Sequence, residues 1–382
     1  MNNKLYTAIG LMSGTSMDGV DASLIRSNGI DKFTKILNEY HEYDTSLHQR
    51  LIDLRNLIIN FEDLEKYSSK INEIEREITI FHSKIINKIL LKYDDKIDLL
   101  GFHGQTIYHN PVKKITKQLG DGKLLSQLIK KKVIFDFRQE DIKNNGQGAP
   151  LTPIFHNLVS KYINNQNQIQ FPIGFINIGG ISNITKVLRG NGKIEENLEA
   201  FDSGPGNCLI DEWIRVNSKK KFDKDGLIAQ SGKIDQLILN QAIDNFEIQS
   251  YDKSLDIKNF DTSFARGLSF EVGCATITSF TAYLIAKGIE YSNKDKSKNI
   301  KYLICGGGRK NNFLINCIKD YSSNQTNITL DIIDNYKYDG DYIESQAFGY
   351  LAIRSFLNLP ISFPKTTGCN KPTVGGKMVE NY

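Results

Sequence analysis

The chain has 382 residues, and two domains are expected because one hydrophobic core rarely serves more than about 250–300 residues. Its 48 Lys and Arg and 44 Asp and Glu leave a formal net charge of +4, and its 40% hydrophobic and 24% charged residues are typical of globular proteins. This composition excludes disordered, collagen-like and coiled-coil chains. A nucleic-acid-binding face is a cluster of basic residues, whereas the lysine runs 130–132 and 219–221 are short and typical of solvated surface. We therefore expect no nucleic-acid partner.

The sequence also predicts a cytoplasmic protein with no membrane partner. The longest uncharged stretch, 272–286, contains Thr, Ser and Tyr and falls short of the roughly 18 apolar residues that a membrane-spanning helix requires. Residues 1–12 lack the long apolar region of a secretory signal. The 5 cysteines are widely spaced and form no CxxC pair, which favours a reducing compartment and argues against a zinc site.

Strand-like runs that end at glycines alternate with helical periods, which predicts an α/β fold. In the first half, residues 6–11 and 21–25 are predicted strands of a hairpin with an unusually polar tip. Isoleucines at three- and four-residue spacing in 71–89 predict a long helix whose apolar stripe packs in the core, with a subunit interface as the alternative. Residues 97–102 are a predicted buried strand.

The second half repeats this order. Residues 171–178 and 181–188 are predicted to form another hairpin with a glycine-rich tip. Residues 301–305 are a predicted strand that leads into a third glycine-rich turn. Helices are predicted at 207–215, 233–246 and 264–287.

An Asn- and Gln-rich stretch, 164–170, separates the two halves. Each half opens with a glycine-tipped hairpin and continues to a strand that feeds a glycine-rich turn, a pattern that suggests an internal duplication. We therefore predict an N-terminal lobe of residues 1–165 and a C-terminal lobe of residues 166–382 around a central cleft.

The tip of the first hairpin, MSGTSMDGVD from Met12 to Asp21, has the composition of a phosphate-binding turn. Glycines let the backbone approach an anion closely, hydroxyl and N–H groups donate to phosphate, and carboxylates hold Mg²⁺ directly or through water. Asp18 and Asp21 are the candidate metal ligands. Val20 stands where a Walker A motif requires Lys, which excludes that motif. An ordinary hairpin turn is the alternative.

Two further glycine-rich turns follow predicted strands, one at Gly179 and Gly180 and one at residues 306–308. Neither matches GxGxxG, which disfavours a Rossmann dinucleotide site. Three such turns on one chain favour several backbone loops that converge on one polyanion.

The string FDSGPGN supplies a candidate general base. Gly204 and Gly206 beside Pro205 predict a rigid loop that presents Asp202. The alternative is that this carboxylate only organises its own loop.

Arg138 is suited to bidentate recognition of a carboxylate or phosphate and suggests an acidic substrate. A salt bridge to Asp136 or Asp141 is the alternative. His103 follows a predicted strand and is a candidate ligand contact, although a hydrogen-bonded structural histidine is the commoner outcome.

Together, these motifs resemble those of the 1,6-anhydro-N-acetylmuramic acid kinases, sugar kinases of bacterial cell-wall recycling. The matching strings span nearly the whole chain and are MSGTSMDGVD, GFHGQT, DFR, GQGAPL, NIGGISN, FDSGPGN, CGGG and DG...E..AFGYLA. Asn145 and Ser203 replace the family's usual Gly and Thr. Both changes are small, because Asn tolerates a left-handed backbone and Ser keeps the hydroxyl group.

The resemblance implies an actin-like ATPase fold of two ribonuclease H-like lobes, a homodimer, and phosphorylation of O6 by ATP while water opens the 1,6-anhydro bridge to give N-acetylmuramic acid 6-phosphate. It implies Asp202 as the base that takes a proton from the water and Arg138 as a substrate contact. Further substrate-side candidates are His103, Gln105 and Glu344. The residues expected to hold ATP and Mg²⁺ are Gly14, Thr15, Ser16, Met17, Asp18, Gly19, Val20, Asp21, Gly179, Gly180, Gly306, Gly307 and Gly308, with Asp18 and Asp21 on the metal.

Two alternatives remain open at this point. The same fold can serve a kinase of another sugar or small acid, since loops on a common fold change substrate. A non-catalytic regulator that binds sugar or nucleotide is the other, and Asp202 together with Asp18 and Asp21 disfavours it.

Overall fold

The computed structural model describes residues 4–167, 169–190, 192–246 and 250–382. They form two compact units, one made of the described residues up to Val159 together with 342–382, and the other of 160–341. The division lies near the predicted boundary after residue 165 but falls within a helix rather than in a connection. The structure differs from the prediction in the segment from Tyr342 onward, which packs with the first unit instead of the second.

The described residues form two β-sheets. Their strands are β1 (Tyr6–Ser13), β2 (Gly19–Ser27), β3 (Phe33–Glu42), β4 (Leu99–Asn110), β5 (Ile115–Leu119), β6 (Lys132–Phe135), β7 (Ile173–Ile178), β8 (Ile181–Val187), β9 (Leu198–Pro205), β10 (Ile300–Cys305), β11 (Ile328–Ile332) and β12 (Lys377–Val379). The first sheet has the order β12-β6-β4-β1-β2-β3, with β5 beside β4, and the second has the order β11-β10-β7-β8-β9.

Both sheets follow the same plan. The strands β1, β2 and β3 form an antiparallel meander, as do β7, β8 and β9. Next to β1, the first sheet continues with the parallel strands β4 and β6, and next to β7 the second continues with β10 and β11. A meander extended by two parallel strands is the ribonuclease H-like topology. The prediction of two duplicated lobes of this type is therefore confirmed, and the central cleft stays a prediction.

Helices connect and cover the sheets. They are α1 (Thr45–Leu57), α2 (Glu62–Lys66), α3 (Ser68–Lys92), α4 (Gly122–Ile129), α5 (Gln139–Lys143), α6 (Pro153–Asn167), α7 (Cys208–Asn217), α8 (Leu227–Ser231), α9 (Gln236–Asn245), α10 (Phe270–Ser292), α11 (Asn312–Ser322), α12 (Ile343–Phe356) and α13 (Pro364–Thr367). Side-chain caps set several of their starts, as where Asp44 accepts a hydrogen bond from Leu47 N at 2.9 Å ahead of α1. The predicted connection 164–170 overlaps the end of α6, and residue 168 lies outside the described residues.

Each unit has its own hydrophobic core. In the first, the isoleucine stripe of α3 is buried together with side chains of β1, β2 and β4, so the core interpretation of this stripe is confirmed. In the second, Ile176 and Ile184 of the sheet pack with apolar side chains of α7, α10 and α11. Full burial of one such side chain stabilises the fold by about 1.5–3 kcal/mol.

The long apolar helix α10 belongs to the second core. With 23 residues and a mean hydropathy of 1.3 over an 18-residue window, it is long and apolar enough to cross a membrane by length and composition alone. The uncharged stretch 272–286 is shorter than the helix, which runs from Phe270 to Ser292. However, 83% of that window is buried inside the protein, as in the core helix of a globular unit.

The helix α12 explains why the C-terminal segment belongs to the first unit. A Cβ atom at Gly10 of β1 would lie 1.9 Å from the Ser345 carbonyl oxygen, and one at Gly101 of β4 would lie 2.2 Å from that of Phe348. The hydroxyl groups of Ser23 and Ser345 are hydrogen-bonded at 2.7 Å. Since only glycine permits so close an approach, the helix and two neighbouring strands are matched to each other.

Candidate functional site

The turn between β1 and β2 carries the first predicted phosphate contacts. Met17 N donates to the Gly14 carbonyl oxygen at 3.2 Å, and Ser16 Oγ donates to Asp18 Oδ1 at 2.6 Å. The Met17 side chain is fully buried, whereas Thr15 and Ser16 are exposed. The turn therefore presents its hydroxyl groups to solvent on a backbone that an apolar side chain anchors.

Gln105 of β4 supports this turn. It pairs with Ser13 in the parallel ladder, and its Nε2 donates to the Gly14 carbonyl oxygen at 2.9 Å. The Gln105 side chain is fully buried, and its Oε1 accepts no hydrogen bond from the residues that the structure describes. The Gln105 side chain thus supports the backbone of the β1–β2 turn, and its contact with substrate stays a prediction.

Three carboxylates lie near the phenol of Tyr40. Burial raises the pKa of Tyr40, and the charges of Asp18, Glu42 and Asp21 raise it further. Among the described ranges of the chain, no group of three or more His, Cys, Asp or Glu side chains could by itself hold a metal ion. Mg²⁺ commonly takes one or two protein carboxylates and completes its shell with water and phosphate oxygens. Asp18 and Asp21 therefore fit a Mg²⁺ ion that arrives with a nucleotide.

His103 and Arg138 form a hydrogen-bonded pair. The Nδ1 of His103 lies 2.8 Å from the Gly104 carbonyl oxygen and must donate to it, so Nε2 is an acceptor. Arg138 donates to this Nε2 from Nε at 3.1 Å and from Nη2 at 2.9 Å. Burial, and then the Arg138 charge, lower the pKa of His103 well below its usual value. The neutral ring is thus a structural acceptor for the guanidinium, which favours the structural interpretation of His103.

A second loop holds the other end of Arg138. Its Nη1 donates to the Gly148 carbonyl oxygen at 2.7 Å, within the GQGAPL string. Asp136 forms an ion pair with Lys377 at 2.6 Å, and the buried Asp141 accepts from Gly148 N at 2.7 Å. Arg138 is therefore oriented by β4 on one side and by the 146–148 loop on the other, and Asp141 stabilises that loop.

In the second unit, the β7–β8 turn and the start of α7 are joined through their backbones. Gly206 N and Asn207 N donate to the carbonyl oxygens of Gly180 and Gly179 at 2.8 and 2.7 Å. A Cβ atom at Gly206 would lie 2.2 Å from the Gly179 carbonyl oxygen. Two glycine-rich strings that are separate in sequence thus meet in one place.

The turn after β10 packs against the end of β7 and the start of α7. Gly306 has a φ of 80°, and a Cβ atom there would lie 2.6 Å from both Asn177 Oδ1 and the Ile178 carbonyl oxygen. Only glycine fits this conformation and this spacing. A Cβ atom at Gly308 would lie 3.1 Å from Asn207 Oδ1. The 179–180, 204–207 and 306–308 segments therefore converge in the second unit, whereas the 14–21 turn belongs to the first.

Arg309 fixes the last of these turns, and the sequence did not predict its role. The side chain is 5% exposed and donates to the Gly306 carbonyl oxygen at 3.1 Å. It also pairs with Asp334 at 2.7 Å, Asp341 at 2.5 Å and Asp339 at 3.2 Å. These partners follow 25 to 32 residues later in the chain, so no local pattern could reveal them.

Asp202 lies in strand β9, and the predicted loop across FDSGPG is wrong. The segment Leu198–Pro205 pairs antiparallel with β8 at the edge of the sheet. The Gly and Pro residues that suggest a loop are tolerated there, because an edge strand can end in a residue that has no N–H.

A β-bulge at Ser203 lies directly next to Asp202 in the strand. Ser182 pairs with Gly204 while Asn183 pairs with Asp202, so Ser203 is the extra residue. Such bulges re-aim side chains and are frequent beside active sites. Asp202 is 6% exposed and its Oδ2 accepts from Leu255 N at 2.8 Å.

The predicted residues thus fall into two groups. Gly14 to Asp21, His103, Gln105, Arg138 and Glu344 lie in the first unit, where Glu344 is half-buried in the first turn of α12. Asp202, Gly179, Gly180 and the 306–308 turn lie in the second. In the sequence, Asn183 is only the last residue of the NIGGISN string. Its pairing with Asp202 follows from the β8–β9 register, which the sequence does not reveal.

Comparison with known proteins assigns a family to this arrangement. A family model described as anhydro-N-acetylmuramic acid kinase matches residues 6–381. A relative of that name from Pelagibacter ubique (strain HTCC1062) is 52% identical over 99% of this chain and 100% of its own length. Relatives of the same name from Rhizorhabdus wittichii and Brucella canis are 35% and 34% identical, over 97% and 98% of this chain and 97% and 99% of their own lengths.

Proposed function

The chain belongs to the anhydro-N-acetylmuramic acid kinase family, and we propose that this kinase converts 1,6-anhydro-N-acetylmuramic acid, ATP and water into N-acetylmuramic acid 6-phosphate and ADP. The observation that carries the proposal is Asp202, a buried carboxylate next to a β-bulge in the strand that leads into one of the three converging glycine-rich segments. The proposal places the reaction in peptidoglycan recycling, in the cytoplasm, with the protein as a homodimer.

The proposed chemistry balances without an external acid. The oxygen of water bonds to C1, and its proton passes to the Asp202 carboxylate and then to solvent. The C1–O6 bond breaks, O6 keeps the electron pair and takes the γ-phosphoryl group, and ADP leaves with the pair from the broken phosphoanhydride bond. Because O6 ends as a phosphate ester, it needs no proton from the protein. A carboxylate base on the face opposite the leaving oxygen is the usual device for such attack by water.

The glycine-rich turns suit the ATP side of this reaction. Phosphoryl transfer depends mainly on positioning and on donors that stabilise charge spread over the phosphoryl oxygens. The exposed hydroxyl group of Thr15 would donate to the phosphates, as would that of Ser16 once Asp18 binds Mg²⁺ instead, and the 306–308 turn would lie along the adenosine. Mg²⁺ held by Asp18 and Asp21 would neutralise charge on the phosphates.

Arg138 suits the lactyl carboxylate of the sugar. Its three donor nitrogens are already oriented by His103 and Gly148, so little side-chain freedom is lost when an acid binds. His103 is assigned to positioning Arg138, while Gln105 and Glu344 remain candidates for direct contact.

The first test is the exchange Asp202→Asn. The amide oxygen can still accept from Leu255 N, so the fold and ATP binding should be kept, while loss of the base should lower turnover by about 10²–10⁴-fold. Turnover is measured as ADP release with Mg·ATP and the anhydro-sugar, and ATP affinity by calorimetry. Asp244→Asn, on the exposed surface of α9, is the matched control. Near-normal turnover of Asp202→Asn would remove Asp202 from this role.

The substrate is tested on the wild-type protein. A panel of sugars and small acids is assayed for ADP release, and the anhydro-sugar should be the preferred acceptor, with N-acetylmuramic acid 6-phosphate as the product by mass spectrometry. Faster turnover of another acceptor would assign a different kinase activity. Binding without ADP release would indicate a regulator.

A further inference from the structure

The strand pairing places one polar side chain directly beside the proposed base. Asn183 of β8 is opposite Asp202 of β9, on the same face of the sheet. Directly opposite residues of an antiparallel pair have Cβ atoms about 4.5–5.5 Å apart. One small molecule can therefore contact both side chains at once.

The Asn183 side chain has an unsatisfied acceptor beside the proposed base. Its Oδ1 is buried and accepts no hydrogen bond from the residues that the structure describes. A buried acceptor without a partner is costly, by about 1–3 kcal/mol, and such groups in folded proteins call for an explanation such as a bound water or ligand. The neighbouring Asn177, in the same cross-strand row, contrasts with it because its Oδ1 lies 3.7 Å from Cys305 Sγ and close to the Gly306 turn.

We propose that Asn183 is a positioning residue that orients the attacking water together with Asp202. The inference rests on the proposed function, because it assigns a role within that reaction. Water has two protons, and one would be donated to the Asp202 carboxylate and the other to Asn183 Oδ1. When both protons are hydrogen-bonded to these two side chains, a lone pair of the water oxygen points away from the side chains and toward C1 of the sugar. Asp202 alone would leave the water free to rotate about a single hydrogen bond.

The bulge at Ser203 is part of this arrangement. If the register that pairs Ser182 with Gly204 continued without the extra residue, Asn183 would be opposite Ser203, so the amide and the carboxylate would not be opposite each other. The Ser182 and Ser203 hydroxyl groups are hydrogen-bonded at 2.8 Å, which holds the bulge.

Two exchanges of Asn183 test the proposal. Asn183→Ala removes the second acceptor and should lower kcat by about tenfold to a hundredfold, the worth of a hydrogen bond to a group that gains charge, with the KM for ATP and the melting temperature unchanged. Asn183→Asp keeps an acceptor of the same size but places a like charge beside Asp202. It should therefore raise the pKa of the base and move the acidic limb of the kcat/KM profile to higher pH by about one unit or more.

The controls separate this inference from the proposed function. Asn240→Asp introduces the same charge on the exposed surface of α9 and should leave the pH profile unchanged. A wild-type protein that does not turn over the anhydro-sugar would overturn the proposed function itself. With an active wild type, the inference alone is overturned if Asn183→Ala keeps kcat within about twofold, if its loss lies in the KM for ATP, or if Asn183→Asp leaves the acidic limb in place.

Discussion

At the scale of single residues, the guanidinium of Arg138 depends on a histidine that stays neutral. His103 Nε2 accepts two hydrogen bonds from Arg138, at 2.9 and 3.1 Å. An imidazolium could not do so, because both of its nitrogens are donors. The lowered pKa of His103 keeps the acceptor available across the neutral pH range.

The exchange His103→Phe should therefore act through Arg138. Phenylalanine fills a similar volume but accepts no hydrogen bond, so the guanidinium loses its orientation, and the KM for the anhydro-sugar should rise about tenfold or more, while the KM for ATP stays unchanged. His103→Gln, which supplies an acceptor, should recover part of the loss. In the wild type the sugar KM should be flat from pH 6 to 8, and a rise that titrates near pH 6.5 would contradict the neutral assignment.

At the scale of elements, strands with an alternating pattern or an apolar run could be predicted from the sequence. Strands that form only because they pair with a neighbouring strand could not. The prediction of 6–11 as a strand corresponds to β1, and 301–305 corresponds to β10. The strand β9 was missed because Gly and Pro within it indicate a turn, and only pairing with β8 makes it extended. The role of α12 was missed because its partners, Gly10 and Gly101, are far away in sequence.

The glycines of the first unit serve two purposes that a pair of exchanges separates. A Cβ atom at Gly10 would overlap α12, whereas one at Gly14 would have Ser16 Oγ as its nearest neighbour, at 3.7 Å. Gly10→Ala should therefore destabilise the fold by about 2 kcal/mol or more. Gly14→Ala should leave the unfolding midpoint in urea unchanged, because the added Cβ atom has space. It should raise the KM for ATP, because a side chain there would keep the backbone from approaching the phosphates closely. Equal stability of Gly10→Ala and wild type would contradict the packing of α12 described above.

At the scale of the whole molecule, the two units share a topology but differ in their titratable groups. All 6 histidines precede residue 157 and so belong to the first unit, while the single tryptophan, Trp213, lies in the core of the second. The duplication of the fold was predictable from the repeated order of hairpin, strand and glycine-rich turn. The return of the C-terminal segment was not, because it depends on which sheet face α12 fits.

This asymmetry predicts that acid destabilises the first unit before the second. Burial lowers the pKa of His82 and His109 to about 4 and that of His156 to about 3, and it lowers that of His103 as well. Below pH 6.5 the unfolded chain binds protons that the folded unit does not, so each of these histidines removes about 1.4 kcal/mol of stability per pH unit until its folded pKa is reached. The lowered carboxyl pKa values of Asp334 and Asp341 in the second unit matter only below their ordinary 3.8.

Between pH 6.5 and about 4, circular dichroism should therefore show loss of structure while Trp213 fluorescence still reports a folded second unit. Urea titrations at pH 7.5, 6 and 5 with both probes measure the effect, and the two midpoints should separate as the pH falls. His82→Leu removes one titrating group from the first core and should make the circular dichroism midpoint less sensitive to pH without moving the fluorescence midpoint. Midpoints that coincide at every pH would show that the two units unfold as one, and a fluorescence change that comes first would reverse the assignment of the acid-sensitive unit.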